Sequence, residues 1–237
     1  MLVQRGLAES QAMAQSLVMA GRVTANGAVV VKAGAPVRHD AELYVQPSEL
    51  FVSRGGVKLE HAVSVFGIDV SGKIAADVGS STGGFTDCLL KHGATRVYAI
   101  DVGKGQLDWR LRRDARVIVK EGVNARYPLE LPESVDLITM DVSFISVTKV
   151  IPSIAPLLKS EGLLIILIKP QFEAKRGEVG KGGVITDPTV HAAVLGRFVS
   201  WAVGSGFRVK GLVSSPIEGA SGNREFFVLL NRSPQLG

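Results

Sequence analysis

The sequence predicts an α/β protein, a mostly parallel sheet with helices on both faces, preceded by a small α+β unit. Three observations carry that expectation. From Gly55 onward, short apolar runs alternate with helical stretches. The segment "DVGSSTGGFTD", residues 77–87, joins a strand to a helix through a glycine-rich turn. The first segment lacks such alternation and places Asn26-Gly27 between β-branched runs, a strong hairpin signal.

Taken in order, Ser10 is placed to cap a helix through "QAMAQSLVMA", with Met13 and Leu17 one turn apart and Gly21 as its stop. "VTANGAVVV" and "ELYV" are the strands of this first domain, read as residues 1–46. A unit of that size is marginal alone. Residues 47–54 are read as a linker and 55–237 as the second domain, in which "VKLEHAVSVF" is helical. "KIAADVG" is a strand running into the glycine turn, "FTDCLLKHG" a helix closed by Gly93, and "RVYAIDVG" the next strand. "ARVIVK", "VDLITMDVSF" and "GLLIILIKP" are further strands, and "VTKVIPSIAPLL" is a helix interrupted by Pro152 and Pro156. After a polar loop, "PTVHAAVLGRFVSWAVGSG" is a long helix; "FRVKGLVSS" and "REFFVLLN", with no helix between them, predict an antiparallel final pair.

Composition narrows the function classes. The chain of 237 residues is 46% hydrophobic and 21% charged, enough for a real core. Its longest apolar run, "GLLIILI", is far too short to cross a bilayer, and the N-terminus lacks signal-peptide character, so no membrane partner is expected. The single cysteine, Cys88, excludes an intramolecular disulfide and fits a reducing cytoplasm. The four histidines are scattered with no partner cysteines, so no metal site is expected, and nothing specifies an oligomeric state. The net charge is +5, and between Gly103 and Arg126 seven cations stand against three anions with Trp109 among them. That stretch is either a face for a polyanion or a solvated surface.

The glycine turn is the sharpest signal. Gly79 and Gly84 have P-loop spacing, but Phe85 stands where a lysine would hold a β/γ-phosphate, and the glycines do not read G-x-G-x-x-G. A nucleoside triphosphate and a dinucleotide are both disfavoured. Asp77 is expected at the mouth of the turn, where it would welcome a cation. Asp101 ends the next strand 22 positions beyond Gly79, the separation at which an acid reaches ribose hydroxyls. Together they suit an adenosine-type ribonucleoside with a positive end, and S-adenosylmethionine has those features. Its expected contacts are Asp77, Gly79, Ser80, Ser81, Thr82, Gly83, Gly84, Phe85, Asp101 and Val102. Phe85 is alternatively core packing behind the turn, and Asn124 either reads the adenine edge or caps its own turn.

Four pieces, "FVSRGGVKLEHA", "DVGSSTGGFTDCLL", "DVSFISV" and "IKPQFE", followed by "GNREFF", resemble the TlyA-type (haemolysin A) RNA 2′-O-methyltransferases with an FtsJ/RrmJ-like catalytic domain. The first 46 residues are similar to the ribosomal "S-four" αL type of RNA-binding domain, although the usual arginine-leucine-aspartate opening is missing from "MLVQRG" and weaker RNA contact is expected there. The resemblance implies a Rossmann-like class I methyltransferase sheet, S-adenosylmethionine as cofactor, and ribosomal RNA or ribosomal subunits as partner, with cytidine the first choice of target. It implies a catalytic set that falls on Lys58, Asp141, Lys169 and Glu225. A ribose hydroxyl is a poor nucleophile until its proton is removed or its oxyanion stabilised. Lys169 is expected to do this, with Asp141 positioning it, Lys58 tuning the pair and Glu225 holding Lys58 or the nucleotide. The sulfonium is already an activated electrophile, so positioning is the remaining task.

Arg5, Arg22, Lys32, Arg54, Arg110, Arg112 and Arg113 are the candidate RNA phosphate contacts. Two rival classes remain: an RNA-binding or ribosome-assembly protein retaining a donor pocket, which predicts loss of the lysine and aspartate set, and a membrane-acting haemolysin, which predicts an amphipathic or spanning segment.

Overall fold

The computed structural model describes residues 1–8, 10–19, 23–30, 32, 34–45, 50–175, 177–219 and 222–232. They fall into two compact units, Met1–Glu49 and Leu50–Gly237. The expected linker divides accordingly. Residues 47–49 lie outside the described ones, whereas Phe51 is buried and Arg54 opens a helix, so 50–54 belong to the second unit.

The first unit holds α1 (Gln11–Met19), β1 (Val23–Ala25), β2 (Ala28–Val29) and β3 (Leu43–Val45). The strands form an antiparallel sheet in the order β2-β1-β3. Asn26 (φ 49°) and Gly27 (φ 80°) both take the left-handed conformation that a two-residue hairpin needs. Asn26 also anchors the third strand, because its Oδ1 accepts the Glu42 N–H at 2.8 Å. Leu2, Ala8, Leu17, Val18 and Val23 make the small core. Gly21, the expected helix stop, lies outside the described residues.

The second unit begins with α2 (Arg54–Phe66), β4 (Ile74–Val78), α3 (Gly84–Lys91), β5 (Arg96–Asp101), α4 (Trp109–Arg112), β6 (Val117–Glu121) and β7 (Val135–Met140). It continues through α5 (Ile151–Ile154), β8 (Leu158–Ile168), α6 (Pro170–Glu173), α7 (Pro188–Gly204), β9 (Phe207–Ser214) and β10 (Phe226–Arg232). Seven strands lie in the order β6-β5-β4-β7-β8-β10-β9. The first five are parallel, and β10 runs antiparallel to both β8 and β9. The helix expected over 147–158 is three short pieces: 3-10 turns at Val147–Lys149 and Ala155–Leu157 flank α5. Pro152 and Pro156 lack the N–H groups a continuous helix would use.

Alternate residues of the central strands feed two cores. On β8, Leu164, Ile166 and Ile168 join one face, under α5 and α7, while Ile165 and Leu167 join the other, under α2, α3 and α4. A strand covered on both faces reads as a continuous apolar run, which is why "GLLIILI" shows no alternation.

Candidate active site

The chain leaves β4 to build β5 and β6 on one side, then returns to build β7 and β8 on the other. The crevice of such a sheet lies at this switch, beyond the carboxyl ends of the strands. The glycine turn leaves β4 there and Asp141 leaves β7 beside it, its N–H donating to Val78 O at 2.9 Å. Gly79 has φ +85°, and a Cβ on it would lie 2.3 Å from the Asp141 carbonyl oxygen, so only glycine fits between the two strand ends. Ser81 is left-handed without being glycine (φ 46°); its N–H donates to Asp101 Oδ2 at 2.8 Å, which holds the turn in place.

The four expected catalytic residues converge as two ion pairs. Lys58, in the second turn of α2, donates to Glu225 Oε2 at 2.5 Å, and both side chains are buried, 10% and 3% exposed. Lys169 follows β8; its Nζ lies 2.6 Å from Asp141 Oδ1 and donates to Ser143 Oγ at 2.8 Å. The Lys169–Asp141 contact is a charge pair without hydrogen-bond alignment, so Asp141 Oδ1 is buried without a hydrogen-bond partner. Lys169 and Glu225 are neighbours because the strands they adjoin are paired: Phe226 faces Ile168 across the antiparallel β10–β8 ladder. All four line one cavity of about 350 Å³ together with Gly79, Ser80, Ser81, Thr82, Gly84 and Phe85 from the turn. Phe85 is nevertheless nearly fully buried against Phe227, so it serves the core as well.

Asp77 departs from expectation. It is fully buried under the turn rather than at its mouth, and it accepts from Thr86 Oγ1 (2.7 Å) and Thr139 Oγ1 (3.2 Å). Burial pushes its carboxyl up to about 7, against those two hydrogen bonds and with Asp141 adding to the rise. Its side chain ties α3 to β7, because β4 is covered on both faces and position 77 points to the α3 side. Asp101 keeps a place at the rim, half-buried and bonded to the turn; its Oδ1 accepts the Gly103 N–H at 2.7 Å. Val102 is exposed. Asn124 caps its own turn, its Oδ1 accepting the Arg126 N–H at 3.0 Å. Gly83 lies beside the cavity and packs on Leu107 and Leu111.

Of the candidate RNA contacts, Arg54 is exposed on the wall of this cavity, and Lys32 is exposed in the first unit. Arg22 lies outside the described residues. The others are engaged within the protein. Arg5 donates to the carbonyls of Ala41 (2.6 Å) and His39. Arg110 forms a bidentate pair with Asp108 (3.0 and 2.9 Å), Arg112 pairs with Glu121, and Arg113 stands 6.0 Å from the Trp109 ring. The cationic stretch thus carries much of its own counter-charge. Sequence reading missed Ser53 on the cavity wall, Ser143 on Lys169, and Glu173, whose carboxylate accepts from Ser146 Oγ (2.6 Å) and Val147 N–H (2.8 Å) and fastens the loop after Asp141. Ser143 and Glu173 sit inside the quoted "DVSFISV" and "IKPQFE" pieces, and that was their only signal. One of the scattered histidines does have a cysteine beside it in space: Cys88, His92 and Glu60 lie together. Among the described residues, no helix is long and apolar enough to cross a membrane.

A seven-stranded sheet that is parallel except at β10, with a glycine turn at its switch point, is a class I methyltransferase fold. A solved S-adenosylmethionine dependent methyltransferase from Mesorhizobium loti shares that fold at TM-score 0.54 and 15% identity, covering 73% of this chain and 96% of that one. The FtsJ-like methyltransferase family model matches residues 51–232, and the chain belongs to that family. It is 42% identical over 233 residues to the 16S/23S rRNA (cytidine-2'-O)-methyltransferase TlyA of Mycobacterium tuberculosis, covering 97% of this chain and 87% of the relative. It is 44% identical over 227 residues to Hemolysin A of Brachyspira hyodysenteriae, covering 93% of each chain.

Proposed function

We propose that the protein transfers a methyl group from S-adenosylmethionine to a ribose 2′-hydroxyl of ribosomal RNA, with cytidine the first target, in the cytoplasm. The observation that carries the reading is the convergence of Lys58–Glu225 and Lys169–Asp141 on the same cavity wall as the glycine turn. The activity named for the M. tuberculosis relative supports it.

The residues present fit the donor. Gly79, where a Cβ would press on the Asp141 carbonyl oxygen, keeps the turn open, and Ser81 and Thr82 are exposed along it. Asp101 and the Ser80–Thr82 backbone would hold the nucleoside end. The donor, when bound, supplies an electrophilic methyl. Lys169, fixed by Asp141 and Ser143, faces the attacking hydroxyl and either accepts its proton or stabilises its oxyanion. Lys58, held by Glu225, adds a second fixed positive charge where negative charge develops. Arg54 on the wall would meet an RNA phosphate.

The test is transfer of tritiated methyl to naked rRNA and to each purified ribosomal subunit, followed by mapping of the label. Lys169→Ala is expected to lower transfer at least 100-fold while calorimetric binding of S-adenosylmethionine persists. Label on a base rather than a ribose, or full transfer by Lys169→Ala, would refute the reading. Retained RNA binding with no transfer by the wild type on any substrate would favour a ribosome-assembly role.

A further inference from the structure

Between α2 and the end of α3 lies a cluster that the methyl-transfer site does not use. Cys88 and His92 are four residues apart at the end of α3, on the face that packs against α2, and Glu60 meets them from α2. One ligand atom from each lies within 4.8 Å of the other two. His92 Nε2 is 2.6 Å from Glu60 Oε2, and Cys88 Sγ is 3.8 Å from the same oxygen. We propose that Glu60, Cys88 and His92 form a binding site for one divalent cation of the zinc class, strapping α2 to α3.

The donor set suits a borderline cation: one sulfur, one imidazole nitrogen and one carboxylate oxygen, with a fourth position left for water. Bond lengths near 2.3, 2.1 and 2.1 Å place tetrahedral donors about 3.4–3.7 Å apart. The sulfur–oxygen separation of 3.8 Å is already close to that, and the histidine–carboxylate contact has to open by less than 1 Å. Glu60 and His92 are part-exposed and give the ion a way in, while the thiol lies fully buried behind them. The Glu60 carboxylate beside the thiol favours a cation there, and the thiol proton leaves to solvent as the metal–sulfur bond forms. The strap would join the helix that carries Lys58, two residues before Glu60, to the helix that the glycine turn opens.

The chain has one cysteine, so any thiolate–metal signal belongs to Cys88. The full-length protein, freed of metal with chelator, is titrated with Co²⁺ and followed by its near-ultraviolet thiolate-to-cobalt charge-transfer band. A saturable one-to-one titration is expected, reversed by Zn²⁺, accompanied by a Zn²⁺-dependent rise in melting temperature, and absent in Cys88→Ser. Should the serine variant fail to fold, Glu60→Gln and His92→Ala decide, since both residues are part-exposed; each is expected to weaken Co²⁺ binding about tenfold or more. No thiolate band up to about 1 mM Co²⁺, or unchanged affinity in Glu60→Gln and His92→Ala, would overturn the proposal. S-adenosylmethionine binding measured on the metal-free protein keeps this outcome separate from that of the methyl-transfer reading.

Discussion

Removing one member of the Lys58–Glu225 pair tests whether the fold carries that pair for its own sake. Both side chains are almost fully buried, 10% and 3% exposed, with Nζ and Oε2 2.5 Å apart. Breaking a buried pair leaves an uncompensated charge and costs about 3–5 kcal/mol. Replacing both partners by apolar residues of similar volume is often neutral or stabilising, because desolvation offsets most of the Coulomb gain. Lys58→Met and Glu225→Gln are therefore expected to destabilise the second unit by about 3–5 kcal/mol each. Lys58→Met with Glu225→Leu is expected to return to within about 1 kcal/mol of wild type, a large favourable coupling in a double-mutant cycle.

Both tryptophans, Trp109 and Trp201, belong to the second unit, so urea unfolding followed by selectively excited tryptophan fluorescence reports on that unit alone. The double variant, folded and stable, is expected to lose methyl transfer at least 100-fold. Single variants that cost less than about 1 kcal/mol would show a solvated pair and refute the burial argument. A stable double variant with full transfer would show that the pair has no part in the chemistry.

Asp77 carries a pH signature. Burial pushes its folded carboxyl up to about 7 from an ordinary 3.8, so the folded state holds more protons across that window and its stability falls as pH rises through it, by about 4 kcal/mol at most. Asp77→Asn is expected to remove this term, so its stability advantage over wild type should grow between pH 5 and pH 8 in urea titrations; a constant difference would refute it. Gly79→Ala should cost at least about 2 kcal/mol and lower donor affinity tenfold or more, since the new Cβ meets a backbone oxygen at 2.3 Å in a left-handed conformation. In filter binding at low salt, Arg110→Gln should leave RNA affinity within about twofold because Asp108 already holds that guanidinium, whereas Arg54→Gln should lower it about threefold or more. The reverse order would relocate the RNA face to the cationic stretch.

Much of this was legible in sequence because it depends on local pattern. The short apolar runs set between helical stretches mark the strands, and the glycine turn and Asn26-Gly27 each encode a backbone conformation that only certain residues adopt. The antiparallel final pair followed from two apolar runs with no helix between them. What escaped depends on where a side chain points after folding. Asp77 reads as a mouth residue, but β4 is covered on both faces and the side chain ends on Thr86 and Thr139. Arg110 and Arg112 read as free cations, but neighbouring acids take them up. His92 reads as isolated, yet one helical turn brings Cys88 beneath it and a packed helix brings Glu60 across.

Under the proposed function, the last strand matters to the chemistry as much as to the fold. Glu225 lies 167 residues from Lys58, and the two meet only because β10 inserts between β8 and β9, with Phe226 opposite Ile168. The same ladder sets Glu225 beside Lys169. Without β10, Lys58 would be a buried cation with no counter-charge and β8 would be an open sheet edge. The same strand therefore completes the core and supplies Lys58 with its counter-charge. With the two lysines paired to two acids, Arg54 is the remaining charge among the residues that line the cavity, which under the proposed function suits an approaching RNA phosphate.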